Sequence, residues 1–296
     1  MTDINALRDV LSQSGRQCVA YVDQAGNPDR PLALNTYRGK GYTPDRPVVL
    51  VQHGVLRNGD DYCDFWMPAA DKHGLLIIAP TFSDADWPGL DSYNNGRVTD
   101  AEGRVRPVED WTYAILERLW ADVRATGVTQ RERAHLFGHS AGGQFVHRLM
   151  SSQSHAPFEA VVASNSGWYT LPDRGLDFPE GMNIAGLSDA HLERLLGYPL
   201  LLLLGECDND VNAPNLPANP EASRQGPHRF ARGHNYFAAG KAAAERLGLP
   251  FNWQVQNVPH IGHDGRSMSA VAASLWFEGK MPTDEELVRL AGSQVA

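Results

Sequence analysis

The chain has 296 residues, a length that suits one large domain or two. Apolar residues make up 42% and charged residues 21%, which allows a substantial core and excludes a disordered or fibrous chain. With 26 Lys and Arg against 35 Asp and Glu, the formal net charge is −9 and no basic block offsets it, so a nucleic-acid partner is disfavoured.

The first ten residues, MTDINALRDV, carry two Asp and no apolar centre. They do not read as a secretory signal, so a cytoplasmic location is expected, with a trimmed secreted form as the alternative. The longest apolar stretch, near residues 198–204, is far too short to cross a bilayer, so no membrane association is expected. Cys18, Cys63 and Cys207 are widely spaced and are expected as reduced thiols.

Short apolar runs alternate with helical patterns, the signature of an α/β sheet. Residues 18–22 and 31–37 read as early strands that could form an antiparallel pair. Residues 47–52 (PVVLVQ) form a β-branched run ending at His53-Gly54. A helical pattern over 60–73 closes at Gly74, and a buried-type strand over 75–79 is expected to stop at Pro80. Residues 81–107 are rich in Asp, Gly and Asn and read as a long loop, the kind that often carries function. A helix is expected over 109–126, a strand over 134–138, a helix over 141–152 and a strand over 159–164. An irregular excursion follows at 166–197, then an apolar strand at 199–204 and a Pro/Asn-rich excursion at 209–227. A helix over 230–247, a strand over 251–258 and a helix over 267–278 complete the pattern. One domain spanning residues 1–296, with two excursions, is the simplest reading.

Gly138-His139-Ser140-Ala141-Gly142 sits between a strand and a helix. That context makes it a nucleophile elbow: small flanking residues permit a tight turn that lifts the serine hydroxyl above the sheet edge. The following helix directs its N-terminal dipole at the site, which favours negative charge there. A serine hydroxyl needs a base, and the base needs an orienting acid. On this fold the partners follow in the order acid, then histidine.

Asp208 lies just past a buried strand and is assigned as the acid, with Asp210 as rival and Glu206 as a third choice. His263, in a loop bracketed by Gly262 and Gly265, is preferred to His260 as the base. A metal reading of His260 and His263 lacks both a supporting helix and further ligands, so no metal is expected. Ala141 and Val55 are the candidate oxyanion-hole N–H donors. His139 precedes the serine on the elbow, and His147 lies on the next helix; neither is expected to act as the base. Tyr93 and Trp168 lie on loops after strands and, with His53, are candidates for a substrate pocket. Trp87 and Trp111 could join them, or all these aromatics could simply pack the loops.

Together these residues resemble the α/β-hydrolase superfamily. More narrowly, the chain is similar to poly(3-hydroxyalkanoate) depolymerase-like and feruloyl-esterase-like hydrolases. The pattern is His53-Gly54, Asp60-Asp61-Tyr62, Ala79-Pro80, GHSAGG at 138–143, Gly205-x-x-Asp208 and Gly262-His263. The resemblance runs from about residue 48 to 278 and implies an α/β-hydrolase fold: a mostly parallel sheet flanked by helices, with loop or lid insertions. It also implies a serine esterase with the triad Ser140, Asp208 and His263, and no metal or organic cofactor. Absence of a recognisable signal, unlike many secreted polymer-degrading relatives, favours a soluble or oligomeric ester as the partner molecule. An amidase or peptidase on the same fold is the rival reading, a cofactor-free perhydrolase a lesser one. A non-catalytic binding protein is the alternative from another class. Oligomeric state is left open.

Overall fold

A computed structural model describes residues 3–153 and 157–292. Its strands are β1 (Gly15–Val22), β2 (Pro31–Arg38), β3 (Val48–Gln52), β4 (Leu76–Thr81), β5 (Ala134–His139), β6 (Phe158–Ser164), β7 (Leu200–Gly205) and β8 (Gln254–Val258). Its helices are α1 (Ile4–Ser12), α2 (Gly59–His73), α3 (Gly89–Ser92), α4 (Ala114–Ala125), α5 (Ala141–Ser152), α6 (Asp189–Gly197), α7 (Pro220–Arg224), α8 (Arg229–Leu247), α9 (Gly265–Glu278) and α10 (Asp284–Gly292). The strands form one sheet of eight, in the order β1-β2-β4-β3-β5-β6-β7-β8. β2 runs antiparallel to β1 and β4, and the remaining pairs are parallel.

The central strands are apolar throughout because helices cover both faces. Alternate residues of a strand point to opposite faces, and the two cores divide accordingly. Val48, Leu50, Ile78, Leu136 and Leu202 share one core with Leu119 of α4, Phe145 of α5 and Tyr236 of α8. Val49, Val51, Ile77, Phe137 and Leu203 share the other with Trp66 of α2, Val271 of α9 and Leu287 of α10.

Strand order reverses at β3, which has β4 on one side and β5 on the other. In open α/β sheets the ligand crevice opens at such a reversal, beyond the carboxyl ends of the strands. The loop beginning His53-Gly54 and the turn carrying Ser140 leave those ends side by side.

Several elements differ from expectation. β4 does not stop at Pro80: antiparallel β2 pairs Leu34 with Pro80, while the parallel register with β3 ends at Ile78, so the missing N–H interrupts no bond to β3. The helix expected over 109–126 begins only at Ala114, after a 3-10 turn at Val108–Asp110. Thr112 is tied to the preceding loop instead, its N–H donating to Gly96 O at 2.8 Å and its hydroxyl to Ser92 O at 3.0 Å. The excursion at 166–197 ends in α6, where Ser188 and His191 form a capping box. The second excursion contains the short α7. Strand β8 begins at Gln254 rather than 251, because Phe251 and Trp253 turn into the core and Trp253 Nε1 donates to Leu195 O. Helices α1 and α10 were not anticipated. Among the described residues, no helix is long and apolar enough to cross a membrane.

Candidate active site

β5 runs directly into Ser140, whose backbone is forced to φ 59°, ψ −118°. A non-glycine residue held there is strained by about 1–3 kcal/mol, a cost tolerated where geometry is functional. Ser140 N–H donates to Ser164 O at 2.9 Å, fixing the turn to β6. The glycines of the motif have a steric cause. A Cβ at Gly138 would lie 2.2 Å from Gly142 O, and one at Gly142 would lie 2.2 Å from Gln52 O. Helix α5 can therefore begin directly over the end of β3 only with glycine at both places.

Three loops bring the sequence-assigned residues together. His263 Nε2 lies 2.9 Å from Ser140 Oγ, and His263 Nδ1 lies 2.7 Å from Asp208 Oδ2. Asp208 can only accept, so Nδ1 carries the ring proton and Nε2 accepts from the serine hydroxyl. Asp208 is 4% exposed, whereas 27% of the His263 side chain reaches solvent. The acid is thus enclosed and the base faces the cleft. The rivals lie apart: Asp210 is exposed and accepts from Asn212 N–H at 2.8 Å, and Glu206 and His260 are exposed. Among the described residues, no group of three or more His, Cys, Asp or Glu is placed to hold a metal ion.

The N–H groups of Val55 and Ala141 have no intramolecular acceptor among the described residues. Ala141 heads α5, and Gly54 backs onto Ser140: a Cβ there would lie 3.8 Å from Ser140 Cβ.

Two residues missed at the sequence level support the triad. Arg229, at the start of α8 and 2% exposed, sets Nη1 3.4 Å from Asp208 Oδ1. Its cation faces the carboxylate oxygen that His263 does not use. Asn165, at the end of β6, is buried with φ 43°, a conformation asparagine tolerates better than most residues. Its Nδ2 donates to Gly262 O at 2.9 Å and its Oδ1 accepts from Gly205 N–H at 2.9 Å. One amide therefore clamps the acid loop to the histidine loop. Replacing it (Asn165→Ala) leaves two backbone groups unpaired and is expected to cost about 1–3 kcal/mol of stability. Loosening the two loops should also lower kcat about ten- to hundredfold. Thermal melting and steady-state kinetics on the same preparation check both effects.

The expected pocket residues divide. His53 and Tyr93 are completely buried, which corrects their expected place at a pocket wall. Phe82 N–H donates to His53 Nε2 at 3.0 Å, so its Nδ1–H donates to Gly54 O at 2.8 Å. Burial pushes this imidazole down to about 4, so it is neutral at neutral pH. Tyr93 stacks on it and donates its hydroxyl to His53 O at 2.7 Å. Both hold the loop after β3 rather than meet a ligand. Trp87 and Trp111 are likewise buried, donating to Pro31 O and Arg106 O. Trp168 borders a cavity of about 670 Å³ with Leu90, Asn95, Phe178 and Pro217. His147 is buried, with Nε2 3.3 Å from Trp168 O.

No protein-family model and no curated protein matches the chain. Solved structures do. LpqC, a poly(3-hydroxybutyrate) depolymerase from Bordetella parapertussis, is 59% identical, with 98% of this chain and 99% of that one covered, at a TM-score of 0.96. Poly(aspartic acid) hydrolase-1 from Sphingomonas sp. KT-1 is 38% identical over 89% of this chain and 98% of that one, at a TM-score of 0.84. An S-formylglutathione hydrolase from Agrobacterium tumefaciens, 16% identical over 92% of this chain and 98% of that one with a TM-score of 0.55, shares the fold. The chain therefore belongs to the depolymerase-like serine hydrolases of the α/β-hydrolase fold and is an ester-cleaving enzyme.

Proposed function

We propose that the enzyme hydrolyses esters of short hydroxyalkanoic acids, as oligomers or polymer ends, through Ser140, His263 and Asp208. The observation that carries this reading is the continuous pair of contacts, 2.9 Å from serine to histidine and 2.7 Å from histidine to aspartate. The substrate class rests on the depolymerase 59% identical to the chain. It is also supported by apolar side chains exposed on the catalytic face. Leu56 (77% exposed), Leu90 and Val211 stand on the loops that follow β3, β4 and β7. Exposed apolar groups of this kind suit contact with an apolar chain.

In the first step Oγ attacks the ester carbonyl carbon as its proton passes to His263 Nε2. The tetrahedral oxyanion is held by Val55 and Ala141 N–H. It collapses to the acyl-enzyme, and the alcohol leaves with the proton from His263. Water then gives its proton to His263, attacks the acyl carbon and releases the acid, returning the proton to Oγ. Asp208 holds the imidazole in the required tautomer and stabilises its cation.

The relative that hydrolyses poly(aspartic acid) favours a second reading, amide cleavage at the same serine. Matched p-nitrophenyl esters and p-nitroanilides, from acetyl to long acyl chains, separate the two. Ester turnover peaking at a short acyl chain, with anilides far slower, is the expected outcome. Anilides cleaved as fast as esters would favour the amidase, and a peak at long chains would remove the hydroxyalkanoate reading.

A further inference from the structure

The mechanism above gives no part to His139 or to Tyr62, yet both lie against its reacting groups. His139 closes β5 and is buried, and its ring is 4.7 Å from the His263 ring, tilted 38°. Its Nδ1 is 2.8 Å from the hydroxyl of Tyr62 on α2. Two more catalytic segments close on the same hydroxyl. A Cβ at Gly54 would lie 3.2 Å from that oxygen, and one at Gly265 would lie 2.6 Å from it. The oxyanion loop, the serine elbow and the turn after His263 thus converge on one phenol oxygen.

The hydrogen bonding there selects a tautomer. Among the described residues, His139 Nδ1 is the acceptor within reach of this buried phenol. The phenolic proton is therefore donated to His139 Nδ1, so the His139 proton lies on Nε2. Burial, with the charges of His263 and Arg229, holds the His139 imidazole well below its usual range, so it is a neutral ring.

We propose that Tyr62 and His139 are a positioning pair for the esterase reaction: the hydroxyl fixes His139 in one tautomer, and the His139 ring holds His263 in line between Asp208 and Ser140. A neutral ring suits that place, because a second imidazolium would oppose the cation that forms on His263. The other groups facing His263 are Asp208, with Arg229 behind it, and Ser140; Asp264, next on the loop, is turned to cap α9 through Ser267 N–H. The proposal rests on the esterase reading only for its kinetic part, and its tautomer part can be read without turnover.

The test combines Tyr62→Phe, His139→Asn and the double variant with nitrogen NMR of His139. Each single change is expected to lower kcat about ten- to hundredfold, the scale of a small misplacement of reacting groups. KM should stay within about threefold, because the pair meets no substrate. The double variant should be no slower than the slower single one, because the hydroxyl acts through the ring. In unsubstituted protein, and in Ser140→Ala protein, His139 should show a protonated Nε2 and an accepting Nδ1. Unchanged kcat in Tyr62→Phe, losses that multiply in the double variant, or a proton on Nδ1 would overturn the proposal. The NMR result decides it even if Tyr62→Phe does not fold. Loss of ester turnover in unsubstituted protein, with the expected tautomer present, would count against the esterase reading alone.

Discussion

Ser140→Ala is expected to lower ester turnover by about three to six orders of magnitude, the range found when a triad nucleophile is lost. The reason is geometric as well as chemical. The hydroxyl is held at the end of a strained turn by Ser164 O and by the close approach of Gly142 to β3. Among the described residues, no other hydroxyl bonds to His263 Nε2. Alanine leaves the turn, the histidine and the acid in place, so thermal stability should change little while chemistry is lost. Water directed by His263 and the oxyanion donors would supply only a small residual rate. Activity within tenfold of the unsubstituted enzyme, measured on the ester series and corrected for contaminating esterase, would be incompatible with the assigned nucleophile.

The second large effect concerns the acid. Asp208→Asn should reduce kcat by about four orders of magnitude. An amide in this place can donate to His263 Nδ1, which favours the tautomer with its proton on Nε2. Such a ring cannot take the proton from Ser140. The substitution also removes the negative charge that stabilises the imidazolium and faces Arg229. Some loss of stability is therefore expected alongside the loss of rate. Asp210→Asn is the control: Asp210 is exposed and accepts from Asn212 N–H within its own loop, so its kcat should stay within about threefold. Parallel kinetics on the two variants, with melting curves to exclude unfolding, separate them. A larger loss at Asp210 would mean that the acid is wrongly assigned.

The parts of this site visible in the sequence are those that local rules control. A strand, a glycine-flanked serine and a helix form one continuous word, so the elbow could be placed at 138–142. The order of acid and histidine followed from the chain order that such folds use. Asp208 was preferred to Asp210 from its place just past a buried strand, but carboxylates two residues apart are separated physically only by burial and by the reach to His263. Asn165 left no such local signal, and Tyr62 stood in the Asp60-Asp61-Tyr62 motif without a role: their importance comes from partners 40 and 97 residues away in one case and 77 in the other. His53 and Tyr93 looked like pocket residues because they stand on loops after strands. In fact both rings bind the backbone of the loop after β3: His53 Nδ1–H donates to Gly54 O, and Tyr93, from the segment after β4, donates to His53 O.

Some missed elements were legible. Thr283 and Glu286 form a reciprocal capping box before α10, with Thr283 N–H donating to Glu286 Oε2 at 2.8 Å. Ser188 plays a similar part before α6, where Leu192, Leu195 and Leu196 fall on one buried face. The first lies beyond the last element read from the pattern, and the second inside a stretch read as irregular.

The most direct test of the account is fluorophosphonate labelling followed by peptide mapping, with ester hydrolysis followed in the same sample. Ser140 as the nucleophile requires one adduct, on that residue, and loss of hydrolysis in step with labelling. An adduct on another residue, or full ester hydrolysis with Ser140 unlabelled, would contradict it.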